Sequence, residues 1–378
     1  MTHLTYLEAA VVGLVQGVSE LFPVSSLGHN VLIPAIIGGS WAKDLNVAAP
    51  ESPYLAFIVG LHVATAIALL IYFWRDWIRI IGGFFTSLGQ FAVPAPGTRR
   101  FSLTDPNQRL AWMVILATIP VGLVGLVAEH QFRVIFGHPI YAAGFLVING
   151  LILIAGEKFR RRKSLAADEE IAAAQRTQRA RSLSAAARPG AGQPGMGQPG
   201  AARAGAGPPG AGPPDAGPPG TGRPGAGRHA ASQPVIRNEE VALAIESDQR
   251  LSRVGYIEAV IIGLAQILAL LAGISRDGVT MVAGMVRGLS REDAARFAFL
   301  LATPVILAAG VLKIPDLFGP LGKGIHGPIL LGSILSGIGA YLSVRFLVRY
   351  FRTRTLTPFG IYCLVVGFAS LVYLGLIK

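Results

Sequence analysis

The chain has 378 residues, 52% of them hydrophobic and only 14% charged, with a formal net charge of +12 and a mean hydropathy of +0.53. A soluble domain carries about 25% charged residues, and most charges here crowd into one central stretch, so a soluble globular fold is excluded. The basic balance does not indicate nucleic acid, because the arginines flank apolar runs as membrane anchors do, and the single cysteine, Cys363, excludes disulfides and cysteine-based metal sites.

In chain order, Met1–Glu8 lacks a basic n-region and is not read as a cleavable signal. Two short apolar stretches follow, Leu7–Phe22 and Asn30–Ile37, joined through Pro23-Val24-Ser25-Ser26-Leu27-Gly28-His29. The second arm is too short to cross a bilayer, so residues 7–37 are predicted as a re-entrant helical hairpin. Three spans are expected at about 53–74, 110–130 and 139–157. Trp74 and Trp77 read as interfacial belt residues, His62 reads as a structural residue within its span, and His130 and His138 fall at an external edge.

Residues 158–250 break the pattern. Lys158–Lys163 is basic, and Ser164–Arg188 fits a short amphipathic helix on the membrane surface. Pro189–Gly227 is almost pure Gly, Pro and Ala without a strict triplet period, a composition that buries no core and is expected to be disordered. Beyond it, Tyr256–Leu271 and Val279–Val286, joined through Ala272–Gly278, form a second predicted hairpin over 255–288. Spans follow at about 294–313, 327–347 and 356–377, with a capping box at Ser290–Asp293 opening the first of them.

A shift that carries Tyr6-Leu7-Glu8-Ala9 onto Tyr256-Ile257-Glu258-Ala259 also carries Gly13 onto Gly263, Gln16 onto Gln266, Ser25 onto Ser275 and Gly28 onto Gly278, without a gap. This is an internal repeat. The expected fold is an all-α polytopic membrane protein with an inverted-topology repeat, one hairpin and three spans per half: repeat 1 over 1–157, a cytoplasmic linker over 158–250, and repeat 2 over 251–378. With three spans per half, the two halves lie in opposite orientations and the hairpin tips meet near the midplane, an arrangement shared with many transporters.

A charge at bilayer depth costs on the order of 3 kcal/mol, so polar residues at the tips mark a site. Gln16 and Glu20 share one helix face and together suit a divalent cation. Ser26 is a candidate nucleophile and His29 a candidate general base or acid. Arg276 can grip a phosphate with two parallel hydrogen bonds, and the freed N–H groups at the two helix starts add an anion site. The phosphate-binding set is then Ser25, Gly28, Ser275, Arg276, Gly278 and Thr280. Against this stand plainer readings, in which Glu20 and Arg276 form a buried ion pair, Ser25 and Ser26 are helix caps, and His29 is a core histidine.

Three stretches resemble the undecaprenyl-diphosphate phosphatases of bacteria, the bacitracin-resistance type. Gln16-Gly-Val-Ser-Glu20 resembles the family's Glu/Gln-x-x-x-Glu, Pro23–His29 its Pro-Val-Ser-Ser-Thr-Gly-His, and Gly273–Thr280 its Pro-Gly-x-Ser-Arg-Ser-x-x-Thr. The resemblance implies hydrolysis of undecaprenyl diphosphate to the monophosphate and phosphate, with Mg2+ or Ca2+ as cofactor and Glu20, Ser26, His29 and Arg276 as essential residues. It leaves open whether Ser26, His29 or a water attacks. It also implies recycling of the carrier for peptidoglycan synthesis, bacitracin resistance, a bacterial inner-membrane location and a site reached from outside. Partners are then the lipid diphosphate and the bilayer, with no nucleic acid, and a homodimer is kept open. Three departures stand out: Leu27 for Thr, Ala272 for Pro, and Asp277 for the second Ser, where Asp277 either pairs with Arg276 or joins Glu20 and Gln16 as a metal ligand. The rival readings are a polyprenyl-phosphate transporter or flippase, a divergent paralogue acting on another lipid diphosphate, and a scaffold working through its Gly/Pro linker.

Overall fold

The computed structural model describes residues 4–46, 53–92, 103, 105–186, 233–319 and 324–376. Among them every regular element is helical. The chain divides into two units, one made of Met1–Leu165 with Glu240–Lys378 and the other of Ala166–Glu239.

In the first unit, Thr5 opens α1 (Tyr6–Ser19) with a capping box: its hydroxyl accepts from Glu8 N at 3.2 Å while its own N–H donates to Glu8 Oε2 at 2.8 Å. A tight turn leads into α2 (Ser26–Ile37), and α3 (Gly39–Asp44) follows. Helix α4 (Pro53–Tyr72) bends by 84° into α5 (Trp74–Ala92). Next come α6 (Pro106–Phe136), capped by Asp105, and α7 (Pro139–Ala186). After α8 (Gln233–Leu251), a 100° bend leads to α9 (Tyr256–Ala265), which continues as a 3-10 turn (Gln266–Leu270) before α10 (Arg276–Val286). Helices α11 (Arg291–Phe318), α12 (His326–Thr353) and α13 (Thr357–Leu376) complete the unit.

Five helices among the described residues are long and apolar enough to cross a membrane, and seven if each bent pair is one span. With Leu123, Leu126, Val365 and Phe368 more than 60% exposed, apolar outward faces of this kind have lipid as their natural solvent, and the protein is a multi-pass membrane protein. In the second unit the described residues are helical at both ends, through Ala186 in α7 and from Gln233 in α8. Both ends fall in the stretch that the sequence reading assigns to the linker. The Gly/Pro/Ala tract lies outside the described residues.

Close helix approach rests on small residues, as expected where lipid supplies no hydrophobic drive between helices. Helix α1 lies on α12 with Gly13 against the Gly332 backbone and Gly17 against the Ser336 backbone, while α9 lies on α6 with Gly263 against the Ala117 backbone. A Cβ at Gly17 would overlap the Ser336 carbonyl, and backbone cannot move aside as a flexible side chain can. Gly17→Leu is therefore expected to destabilise the fold by about 3 kcal/mol, read as a lowered unfolding temperature in detergent. Gly122→Leu, at a position with open space around it, serves as the silent control.

The sequence reading placed no element over 75–92, yet α5 turns Asp76, Ile80, Gly83 and Ser87 inward. Its carboxylate joins an ionic cluster that ties α5, α8 and α11 together. Buried Arg296 reaches Asp248 at 2.8 Å and Asp76 at 3.1 Å, and Arg79 bridges the same two aspartates at 2.7 and 2.5 Å. Beside it, Arg250 and Ser247 hold Asp293 at 2.9 and 2.6 Å. Mutual pairing is what makes buried charges tolerable.

Candidate functional site

The turn between α1 and α2 and the turn before α10 lie against each other. Ser25 (φ 68°) is the only non-glycine residue with positive φ among the described residues, a costly conformation for a side chain. Its hydroxyl caps α2 by accepting from Gly28 N at 3.2 Å and also accepts from Gly273 N of the opposite turn at 3.2 Å. Ser275 mirrors it, capping α10 through Gly278 N at 3.1 Å and donating to Phe22 O at 3.4 Å. Gly28 and Gly273 (φ 111°) pass so close that a Cβ on Gly28 would come 2.9 Å from the Gly273 Cα. Two helix N-termini, with the unsatisfied N–H groups such ends carry, are thereby set side by side.

Asn149 of α7, fully buried, joins the tips. Its Nδ2 donates to Pro23 O at 3.0 Å and its Oδ1 accepts from Ser275 N at 3.0 Å. Asn149→Leu keeps the shape but orphans two buried backbone groups, at about 1–3 kcal/mol each. Both a lower unfolding temperature and a roughly tenfold slower turnover are expected, because Ser275 sets the position of the next residue, Arg276.

Glu20 stands at the centre. One carboxylate oxygen takes the Arg276 guanidinium, and the other accepts from the Ser26 hydroxyl and, at 2.8 Å, from Gln16 Nε2. Asn30 Nδ2 donates to Gln16 Oε1 at 2.5 Å, which fixes the orientation of the Gln16 amide. His62 Nε2 is 3.3 Å from Gln16 Nε2 and 3.7 Å from Glu20 Oε2. Its Nδ1 faces Ile58 O at 2.8 Å. A carbonyl only accepts, so that nitrogen carries hydrogen and Nε2 is turned to the site. Gln16 and Glu20 are buried, whereas Ser26 and Arg276 are half-buried and form the open side of the cluster.

The structure thus brings together Gln16, Glu20, Ser26 and Arg276, with Ser25, Gly28, Ser275 and Gly278 shaping the two helix starts. Two expected residues are engaged elsewhere and a third has no hydrogen-bond partner. His29 is not hydrogen-bonded to Ser26; its ring lies between Ser25 O at 2.7 Å and Tyr362 Oη at 2.8 Å. The Thr280 hydroxyl is spent on Arg276 O at 2.7 Å. Asp277 is buried with no hydrogen-bond partner on either carboxylate oxygen, as is Arg276 Nε, so it does not form the pair with Arg276 that the sequence left open. The sequence reading missed Asn30, Asn149 and Tyr362 and counted His62 as structural. For Asn149, a lone amide inside an apolar run was the available signal.

A hydroxyl held on a buried carboxylate, beside an arginine and two helix N-termini, is suited to moving a proton from oxygen while a phosphoryl group is held. Comparison with known proteins agrees. The family model described as bacitracin resistance protein BacA matches residues 9–207 and 234–369. A protein of Mycolicibacterium paratuberculosis named undecaprenyl-diphosphatase is 51% identical over 375 residues, covering 99% of each chain. The undecaprenyl-diphosphatase of Mycobacterium avium is equally similar, at 51% over 375 residues and 99% of each chain. Undecaprenyl-diphosphatase 2 of Frankia alni is 50% identical over 371 residues, or 97% of each.

Proposed function

The chain belongs to the family of the bacitracin resistance protein BacA, and from that premise we propose that it is an integral-membrane hydrolase converting undecaprenyl diphosphate to undecaprenyl phosphate and phosphate. The observation that carries this reading is the Ser26 hydroxyl on Glu20, with Arg276 on the same carboxylate. A transporter would use Arg276 but has no need of a serine held on a base.

The reaction proceeds from that geometry. Ser26 Oγ attacks the terminal phosphorus while Glu20 takes its proton. The bond from that phosphorus to the bridging oxygen breaks, and undecaprenyl phosphate leaves. Neutralised by the proton, Glu20 loosens its hold on Arg276, whose N–H groups turn to the phosphoryl oxygens where charge gathers. The N–H groups at the starts of α2 and α10 face the same charge. Water then attacks the phosphoserine, releasing phosphate and returning Ser26. Glu20 returns its proton to Ser26 Oγ as that bond breaks, and the proton of the attacking water leaves with the phosphate.

A divalent cation, Mg2+ or Ca2+, fits the site in part. Glu20 and Asp277 outweigh Arg276 by one negative charge, which a diphosphate would enlarge. Asp277 offers a buried carboxylate without a partner, while Gln16 has both ends engaged. Among the described residues no group of three or more His, Cys, Asp or Glu is placed to enclose an ion. Phosphate oxygens and water would complete the shell around Asp277 and Glu20, the usual habit of Mg2+. When bound, the cation supplies charge neutralisation for the diphosphate.

We also propose the inverted repeat. In its support, Ser25 and Ser275 cap their helices through Gly28 and Gly278 in the same way, and Gly13 and Gly263 each lie on a helix of the opposite half. The inner membrane, with the basic linker cytoplasmic, is the location that its charges favour. The test in cells is bacitracin tolerance: overproduction of the chain should raise it, and overproduction of Ser26→Ala to the same level should not. Equal tolerance from both would overturn the serine mechanism.

A further inference from the structure

His62 lies on α4, outside the three motifs that carry the family resemblance, yet its ring reaches the centre of the site. Its Nδ1 lies 2.8 Å from Ile58 O, one turn back on the same helix. That carbonyl only accepts, so Nδ1 carries hydrogen. Nε2 then points at the Gln16–Glu20 pair, 3.3 Å from Gln16 Nε2 and 3.7 Å from Glu20 Oε2. An amide nitrogen has two hydrogens and accepts nothing. The contact with it therefore uses the lone pair of a neutral imidazole, and Gln16 donates to His62.

Both ends of the Gln16 amide are thereby engaged. Oε1 accepts from Asn30 Nδ2 at 2.5 Å, one Nε2 hydrogen goes to Glu20 Oε2 at 2.8 Å, and the other goes to His62. Turned over, the amide would set its oxygen against the Glu20 carboxylate and the His62 lone pair, both of which accept. Those two neighbours therefore act together on which way it lies. Glu20 exerts its full pull only while it is a carboxylate. Its Oε2 is also the atom that holds the Ser26 hydroxyl, and once that oxygen has taken the proton, its charge-assisted hold on the amide is lost. His62 stands outside that transfer and keeps its lone pair on the other amide hydrogen throughout.

We propose that His62 is a positioning residue for the hydrolysis. By accepting from Gln16, it keeps the amide aimed at Glu20 Oε2 while that oxygen gains and then returns the Ser26 proton. Ser26 Oγ and Glu20 Oε2 are thus held in register for both halves of the reaction. No proton moves to or from His62, which acts only through Gln16. The inference rests on the reading of Glu20 as the acceptor of the Ser26 proton.

The experiment is phosphate release from undecaprenyl diphosphate by the full-length protein in detergent, with kcat and KM measured separately. The parent is compared with His62→Phe, which keeps a ring but no acceptor, and with His62→Gln, whose amide oxygen can accept in place of Nε2. Glu20→Gln runs beside them, and Gln16→Met, alone and combined with His62→Phe, completes a double-mutant cycle. The His62 side chain is 28% exposed, which leaves room for the exchanged ring. Expected for His62→Phe is a kcat lower by about tenfold, short of the roughly 10²-fold cost of a 1 Å misplacement because Asn30 and Glu20 still hold the amide, with KM unchanged. His62→Gln should recover most of that kcat. In the cycle, His62→Phe should cost nothing further once residue 16 is methionine, since the two positions act as one unit. Should Glu20→Gln turn over like the parent, the reading of Glu20 falls and the inference with it. If Glu20→Gln is inactive while His62→Phe keeps the parent kcat, or while the two losses in the cycle simply add, the role of His62 alone is overturned. Were His62→Phe to lose its fold, His62→Gln decides: a kcat near the parent sustains the acceptor role, and a kcat far below it refutes the proposal.

Discussion

Glu20→Gln is expected to lower phosphate release by about 10³-fold or more while the protein keeps its fold. Two losses combine. The amide cannot take the Ser26 proton, and general-base catalysis is worth roughly 10²–10⁴. The amide also leaves Arg276 without its counter-charge before substrate arrives, so the guanidinium is no longer released to the phosphoryl group in step with proton transfer. Shape is preserved, and the remaining carbonyl oxygen can still accept from Ser26 or Arg276, so the unfolding temperature should fall only slightly. Parallel measurement of phosphate release and thermal unfolding checks this, and activity within a few-fold of the parent would remove Glu20 from the chemistry.

Arg276 carries the second large effect. Arg276→Ala should cost about 10³-fold in kcat, the scale seen when one group that stabilises transition-state charge is removed. It also strands Glu20 as an unpaired buried carboxylate, which destabilises a fold by about 3–5 kcal/mol, so the alanine variant alone confounds two effects. Arg276→Lys separates them. The ammonium restores the charge beside Glu20 but not the planar fork, so stability should return while kcat stays roughly 10- to 100-fold below the parent. Full activity in the lysine variant would mean that Arg276 is only the partner of Glu20 and does not grip phosphate as a fork.

What the sequence made legible was whatever is costly in a membrane. Glu20, Ser26 and Arg276 stood out as polar residues in apolar surroundings, and the structure gathers them around one carboxylate. The all-helical, membrane-crossing character followed from run length and hydropathy in the same way. Residues whose partners are remote in sequence stayed hidden. Asn149 binds backbone groups 126 residues away in each direction, and nothing local distinguishes it from a solitary amide. His62 reaches Gln16 across 46 residues, and Tyr362 reaches His29 across 333. Helix α5 was passed over because its arginines suggested a loop, whereas Arg79 is bound in the ionic cluster with Asp76 and Asp248. His29 was paired with Ser26 on the strength of its place in the motif, and the backbone turn at Ser25 instead directs its ring to α13.

The most direct test of the account is phosphate release from undecaprenyl diphosphate by the purified parent protein in detergent, first with divalent cations chelated and then with Mg2+ or Ca2+ restored. The account predicts release that depends on the cation and is lost in Glu20→Gln. A well-folded parent that releases no phosphate under either condition would contradict it.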